Sequence, residues 1–147
     1  MRGPQCVLTL LLIFAVTASV RAELGGAVGY QGQVEMTALL KTTTTAADQP
    51  IVYPQTNEPE VSIIMVEIPP GGETGWHKHP YPIFVYSLSG ELSVYFENGK
   101  THHLSAGEAM VECLNMFHNG KNVGTAPVKL VISVMGEKGN PFTVRQE

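Results

Sequence analysis

His77, His79 and His118 are the residues of this chain whose types and spacing suit chemistry most directly. Side chains of a β-strand alternate between its two faces, so a strand through Trp76-His77-Lys78-His79 sets both imidazoles on one face and Lys78 on the other. One strand then offers two ligands to one ion, and His118, far along the chain, brings a third from another strand. Neutral imidazole is a good donor to zinc, iron, copper, nickel and manganese. An ion held by only a few protein groups keeps positions open for substrate.

The remaining chemistry-bearing residues read more plainly. His102 and His103 are adjacent, point to opposite faces of their strand, and read as solvated surface. Cys113, flanked by Val111, Leu114 and Met116, reads as a small buried apolar residue. Gly71, Gly90 and Gly107 are turn glycines, and Asn122 is a strand-end residue whose side chain bonds to the backbone.

The elements that must position the histidines are strands. Short apolar and β-branched runs recur at Val61–Ile68, Gly75–His79, Ile83–Leu88, Glu91–Glu97, Lys100–Leu104, Ala109–Glu112, Met116–Asn119 and Val128–Met135. Pro69-Pro70-Gly71-Gly72, Ser89-Gly90, Asn98-Gly99 and Ala106-Gly107 punctuate them. Asn98-Gly99 predicts a two-residue hairpin in which both residues take positive φ, with Leu92, Val94 and Phe96 on the inward face of its first arm. An earlier strand is expected over Val34–Leu40, and a turn at Asp48-Gln49-Pro50. No segment sustains a helical period, so the fold class is all-β, a sandwich or closed barrel.

The amino terminus reads as an export signal over residues 1–22. Arg2 precedes the apolar stretch from Val7 to Val16, and Val20-Arg21-Ala22 suits a signal peptidase. Residues 23–33 are glycine-rich and read as a flexible leader, which leaves 34–147 as a single domain. The expected location is therefore secreted or periplasmic, with no stable membrane span after cleavage. Cleavage removes Arg2 and Arg21 and no acid, which makes the formal charge of −4 more negative by two. That balance argues against nucleic acid as a partner. Cys113 alone remains after cleavage, so no internal disulfide is available.

Two motifs resemble those of the cupin superfamily, small jelly-roll or double-stranded β-helix barrels. The first runs Gly, five residues, His-x-His, three or four residues, Glu, six residues, Gly; Gly71, His77, His79 and Gly90 match it. The second runs Gly, five residues, Pro-x-Gly, two residues, His, three residues, Asn; Gly107, His118 and Asn122 match. Ile83, or Phe84 at the longer spacing, stands where the family has its glutamate, while Cys113 and Asn115 replace the proline and glycine.

The resemblance implies a divalent transition metal on His77, His79 and His118, with Fe(II) favoured and Zn, Mn, Ni or Cu as alternatives. Without the family's glutamate the ion would keep its full charge and favour anionic ligands. Glu73 and Glu112 are set aside as a fourth ligand by their positions relative to the motifs, and water is expected there. Ile83, Val85, Tyr86, Met110 and Phe117 are expected to line the pocket, and Ile83→Glu to restore a four-ligand set. The implied function is a small metal-dependent enzyme of the dioxygenase type acting on a small organic substrate, as a homodimer. The alternative is a non-catalytic binding or sensing module for a small anion or a metal, and the donor set alone does not choose between them.

Overall fold

The computed structural model describes residues 35–147; the expected signal and leader lie outside them. Residues 39–147 form the unit that carries the fold, and 35–38 of the preceding unit contain no strand. Nine strands occur among the described residues and no helix. They are β1 (Pro59–Ile68), β2 (His77–Lys78), β3 (Ile83–Ser89), β4 (Glu91–Phe96), β5 (Thr101–Ser105), β6 (Ala109–Val111), β7 (His118–Asn122), β8 (Val128–Glu137) and β9 (Val144–Arg145). The all-β jelly-roll reading holds: one sheet has the order β1-β8-β3-β6, the other β5-β4-β7-β2-β9, and neighbouring strands are antiparallel.

Alternation decides what faces inward. Along β1, Ile64, Val66 and Ile68 turn toward the core while Val61, Ile63 and Met65 face out. Ile83 and Val85 of β3, Leu92, Val94 and Phe96 of β4, and Val128, Leu130, Ile132 and Val134 of β8 complete a core drawn from both sheets. Asn122 is buried at the end of β7, where its amide donates to Ile68 O and Ala126 O, both at 2.9 Å. It thereby ties the end of β1 to the turn before β8, the backbone-bonding role its type suggests. Gly90, at φ 82°, has Pro127 O and Val128 Cα each 2.8 Å from where a Cβ would stand, so any side chain there would displace the start of β8.

Three local expectations are corrected. The described part of Val34–Leu40 is not a strand, because none of these residues finds a ladder partner. The hairpin between β4 and β5 is not the two-residue type: Asn98 is not among the residues with positive φ, whereas Gly99 has φ 83°. Gly99 N–H donates to Phe96 O at 2.9 Å and Phe96 N–H to Lys100 O at 3.0 Å, which closes a three-residue loop with glycine in the left-handed position. Asn98 contributes through its side chain, whose Oδ1 accepts from Lys100 N–H at 3.1 Å. Strand β9 carries no pattern of its own; it forms because the chain end docks on β2, with His77 opposite Arg145 and Lys78 opposite Val144.

Candidate metal centre

Two segments of chain bring the histidines together. His77 on β2 and His118 on β7 are direct cross-strand partners, so their side chains share one face. His79 lies just past β2, held by a bridge to Leu114. The ligand atoms of the three imidazoles all fall within 4.8 Å of one another, with His79 and His118 buried and His77 half-buried. Lys78 points the other way, its Nζ 4.9 Å above the Phe117 ring.

In each ring the Nδ1 is occupied by a backbone carbonyl. His77 Nδ1 donates to Gly75 O at 2.8 Å, His79 Nδ1 to Phe142 O at 2.7 Å, and His118 Nδ1 to Met116 O at 3.1 Å. A carbonyl accepts only from an N–H, so each neutral ring carries its proton on Nδ1 and a lone pair on Nε2. This is the outer support that metal-binding histidines use. The Nε2 of His118 is buried with no hydrogen-bond partner, a costly state for a polar atom that a cation would relieve. The donor set therefore fits a divalent transition ion.

The site also holds a carboxylate, that of Glu112, which its position relative to the motifs had set aside. Glu112 Oε2 is 2.9 Å from His79 Nε2 and 3.8 Å from His118 Nε2. Burial pushes the Glu112 carboxyl up, but when the rings carry a second proton the hydrogen bond from His79 Nε2 and the charge of the imidazoliums outweigh it, so its pKa falls below the ordinary carboxylate value. Burial lowers the pKa of His77, partly offset by its bond to Gly75 O, and that of His118, partly offset by Glu112. Both rings thus favour the neutral, ligating form. Cys113 is buried, its Sγ 3.2 Å from His118 Nδ1, and burial together with the Glu112 charge raises its thiol to about 12. It packs against His118 as an inert neighbour.

A cavity of about 180 Å³ opens beside the histidines. Besides the histidines and Glu112, its walls include Ile64, Val66 and Ile68 of β1, Leu130 and Ile132 of β8, Leu92 and Val94 of β4, with Phe142, Thr74 and Thr143, and among the described residues neither lysine nor arginine lines it. The five residues expected to form the pocket do not line it. Ile83, Val85 and Met110 are inward-facing but fill the β3/β6 half of the barrel with their own side chains, whereas the cavity lies over the β1/β8 half. Tyr86 has the opposite parity on β3, and Phe117 packs beneath Lys78.

Sequence reasoning weighed Glu112 and set it aside, and it missed Phe142 and Thr143. Glu112 had a legible signal, a lone acid inside the run Ala109-Met110-Val111-Glu112-Cys113-Leu114, where a charge is rarely buried without a partner. Phe142 had none, since it acts through its backbone carbonyl and through a ring stacked 6.3 Å from that of His79.

Comparison with known proteins gives a matching outcome for the fold. The profile of the cupin domain matches residues 64–135. No curated protein matches the chain. Among solved structures, a conserved Klebsiella pneumoniae protein with a double-stranded β-helix domain is 26% identical over 65% of this chain and 90% of its own, with a TM-score of 0.50. An oxalate decarboxylase from Lactobacillus farciminis is 24% identical over 58% of this chain and 26% of its own, with a TM-score of 0.51. A DMSP lyase from Ruegeria pomeroyi is 19% identical over 58% and 43%, with a TM-score of 0.52. The chain spans less than half of either enzyme, and these two share its fold.

Proposed function

Because the chain belongs to the cupin superfamily, we propose that His77, His79 and His118 hold a divalent transition ion, Fe(II) foremost with Zn, Mn, Ni or Cu as alternatives, in a small metal-dependent enzyme of the dioxygenase type. The observation that carries this reading is the set of three Nδ1 atoms tied to carbonyls, which aims three Nε2 lone pairs at one place. Such an ion, when bound, supplies the redox chemistry toward dioxygen that side chains cannot. The chain's own residues bind and orient the substrate and exclude water from it.

The cavity limits that substrate. With no lysine or arginine on its walls among the described residues, the ion is the one positive charge offered there to an anionic head, while Ile64, Val66, Leu130 and Ile132 accept an apolar body. A small acid, thiol or β-diketone with one chelating head suits it better than a compact dianion such as oxalate. The test is oxygen uptake by the Fe(II)-loaded chain with each of these classes. Consumption of oxygen with a new product supports the enzyme. Thermal stabilisation by ligand without turnover moves the function to a binding module.

Two further properties belong to the same reading. Export by the segment 1–22 rests on its charge and apolar pattern. A homodimer is supported by the outer face of edge strand β1, where Val61, Ile63 and Met65 are 62%, 73% and 62% exposed.

A further inference from the structure

Glu112 brings a carboxylate within 4 Å of two of the three imidazoles, and its place in the ladder explains why. Its N–H donates to Ile83 O at 2.9 Å, continuing the β3–β6 register in which Phe84 faces Val111. Directly opposed residues of an antiparallel pair lie on the same face of the sheet, about 5 Å apart at Cβ. Ile83 is the position at which the resembling motif has its glutamate. The carboxylate missing there reappears one strand over, on the same rung and the same face.

Distances agree with a shared ion. Donors that each stand about 2.1 Å from one metal are separated by roughly 3 Å to 4 Å from one another. The separations of 2.9 Å and 3.8 Å from Glu112 Oε2 to the Nε2 atoms of His79 and His118 have that size. The hydrogen bonds point the same way. His79 already donates its Nδ1–H to Phe142 O, so its neutral ring turns a lone pair toward Glu112. Two lone pairs at that separation repel unless a proton or a metal cation stands between them.

We propose that Glu112 is the fourth protein ligand of the metal, a carboxylate transposed from the β3 position of Ile83 to the end of β6. The proposal rests on the three-histidine metal reading and deepens it. With Glu112 bound, the local charge of a divalent ion falls from +2 to +1, so the site matches a monoanionic ligand and disfavours a dianion.

The test is titration of the full chain with Co(II), followed by competition with a chelator and by the visible spectrum of the bound ion. Glu112→Gln should lower affinity by about tenfold or more and change the spectrum. Glu73→Gln, whose carboxylate instead accepts from Asn119, should change neither. Ile83→Glu placed in the Glu112→Gln background should recover affinity, because it returns a carboxylate to the same rung. Infrared difference spectra of the wild-type chain with and without Co(II) should show a carboxylate stretch that shifts on binding, a readout that requires no variant to fold. Wild-type affinity and spectrum in Glu112→Gln, with no carboxylate shift, would overturn the proposal and leave Glu112 as a hydrogen-bond partner of His79. Failure of the wild-type chain to bind Co(II) at all would overturn the metal reading and this proposal together.

Discussion

Glu112 and Ile83 face each other across the β3–β6 ladder, joined by the Glu112 N–H to Ile83 O bond at 2.9 Å. Motif spacing alone makes Ile83→Glu a repair of the site. The structure reverses that expectation for the single substitution, because it would bury a second carboxylate on the same rung as the first. The variant should lose on the order of 3–5 kcal/mol of metal-free stability, the scale of an uncompensated buried charge. Its urea midpoint checks this; an unchanged midpoint would place the Ile83 side chain away from Glu112.

Histidine substitutions should separate cleanly. His118→Ala removes a buried ring whose Nε2 has no other partner and should abolish tight Zn(II) binding. His103 is exposed and bonded to Ser93 Oγ at 2.8 Å, so His103→Ala should bind Zn(II) as the wild type does. Equal losses in a chelator competition would sink the assignment of ligands.

The chain end should matter for metal affinity although none of its side chains is a proposed ligand. Phe142 O fixes the proton of His79 on Nδ1, and β9 pairs with β2 beside His77. Deleting residues 140–147 should weaken Zn(II) binding by about 10–100-fold, the usual effect of losing outer support. Retained affinity would mean that the rings hold their orientation without it.

Stability of the metal-free protein should fall with acid. Burial holds His102 below its ordinary 6.5 in the folded chain. Below that value the unfolded chain takes up the proton first, so the contribution is complete above pH 6.5 and declines as pH drops toward the lower folded pKa. His102→Gln should flatten part of the slope of unfolding midpoint against pH between about 7.5 and 5.5. An identical slope in both proteins would remove His102 as a cause.

Much of this was legible from local pattern. The runs from Val61 to Met135 announce their strands because alternation and turn residues are set within a few positions, and β1, β3, β4 and β8 lie where those signals put them. His77, His79 and His118 were legible because motif spacing survives in the chain. What stayed hidden depends on distant contacts. Whether Ile83 or Ile132 borders the cavity is set by which half of the barrel its own side chains fill, and strand β9 exists only because β2 offers it an edge. Glu112 was visible as a misplaced acid, yet its partner Ile83 is fixed by cross-strand register, which spacing along the chain does not encode.

Elemental analysis of the protein recovered from its own compartment, without affinity tag or chelator, tests the central claim most directly when paired with His77→Ala. The account predicts about one equivalent of a transition metal in the wild type, largely lost in the variant. No metal in either protein, with both folded, would contradict it.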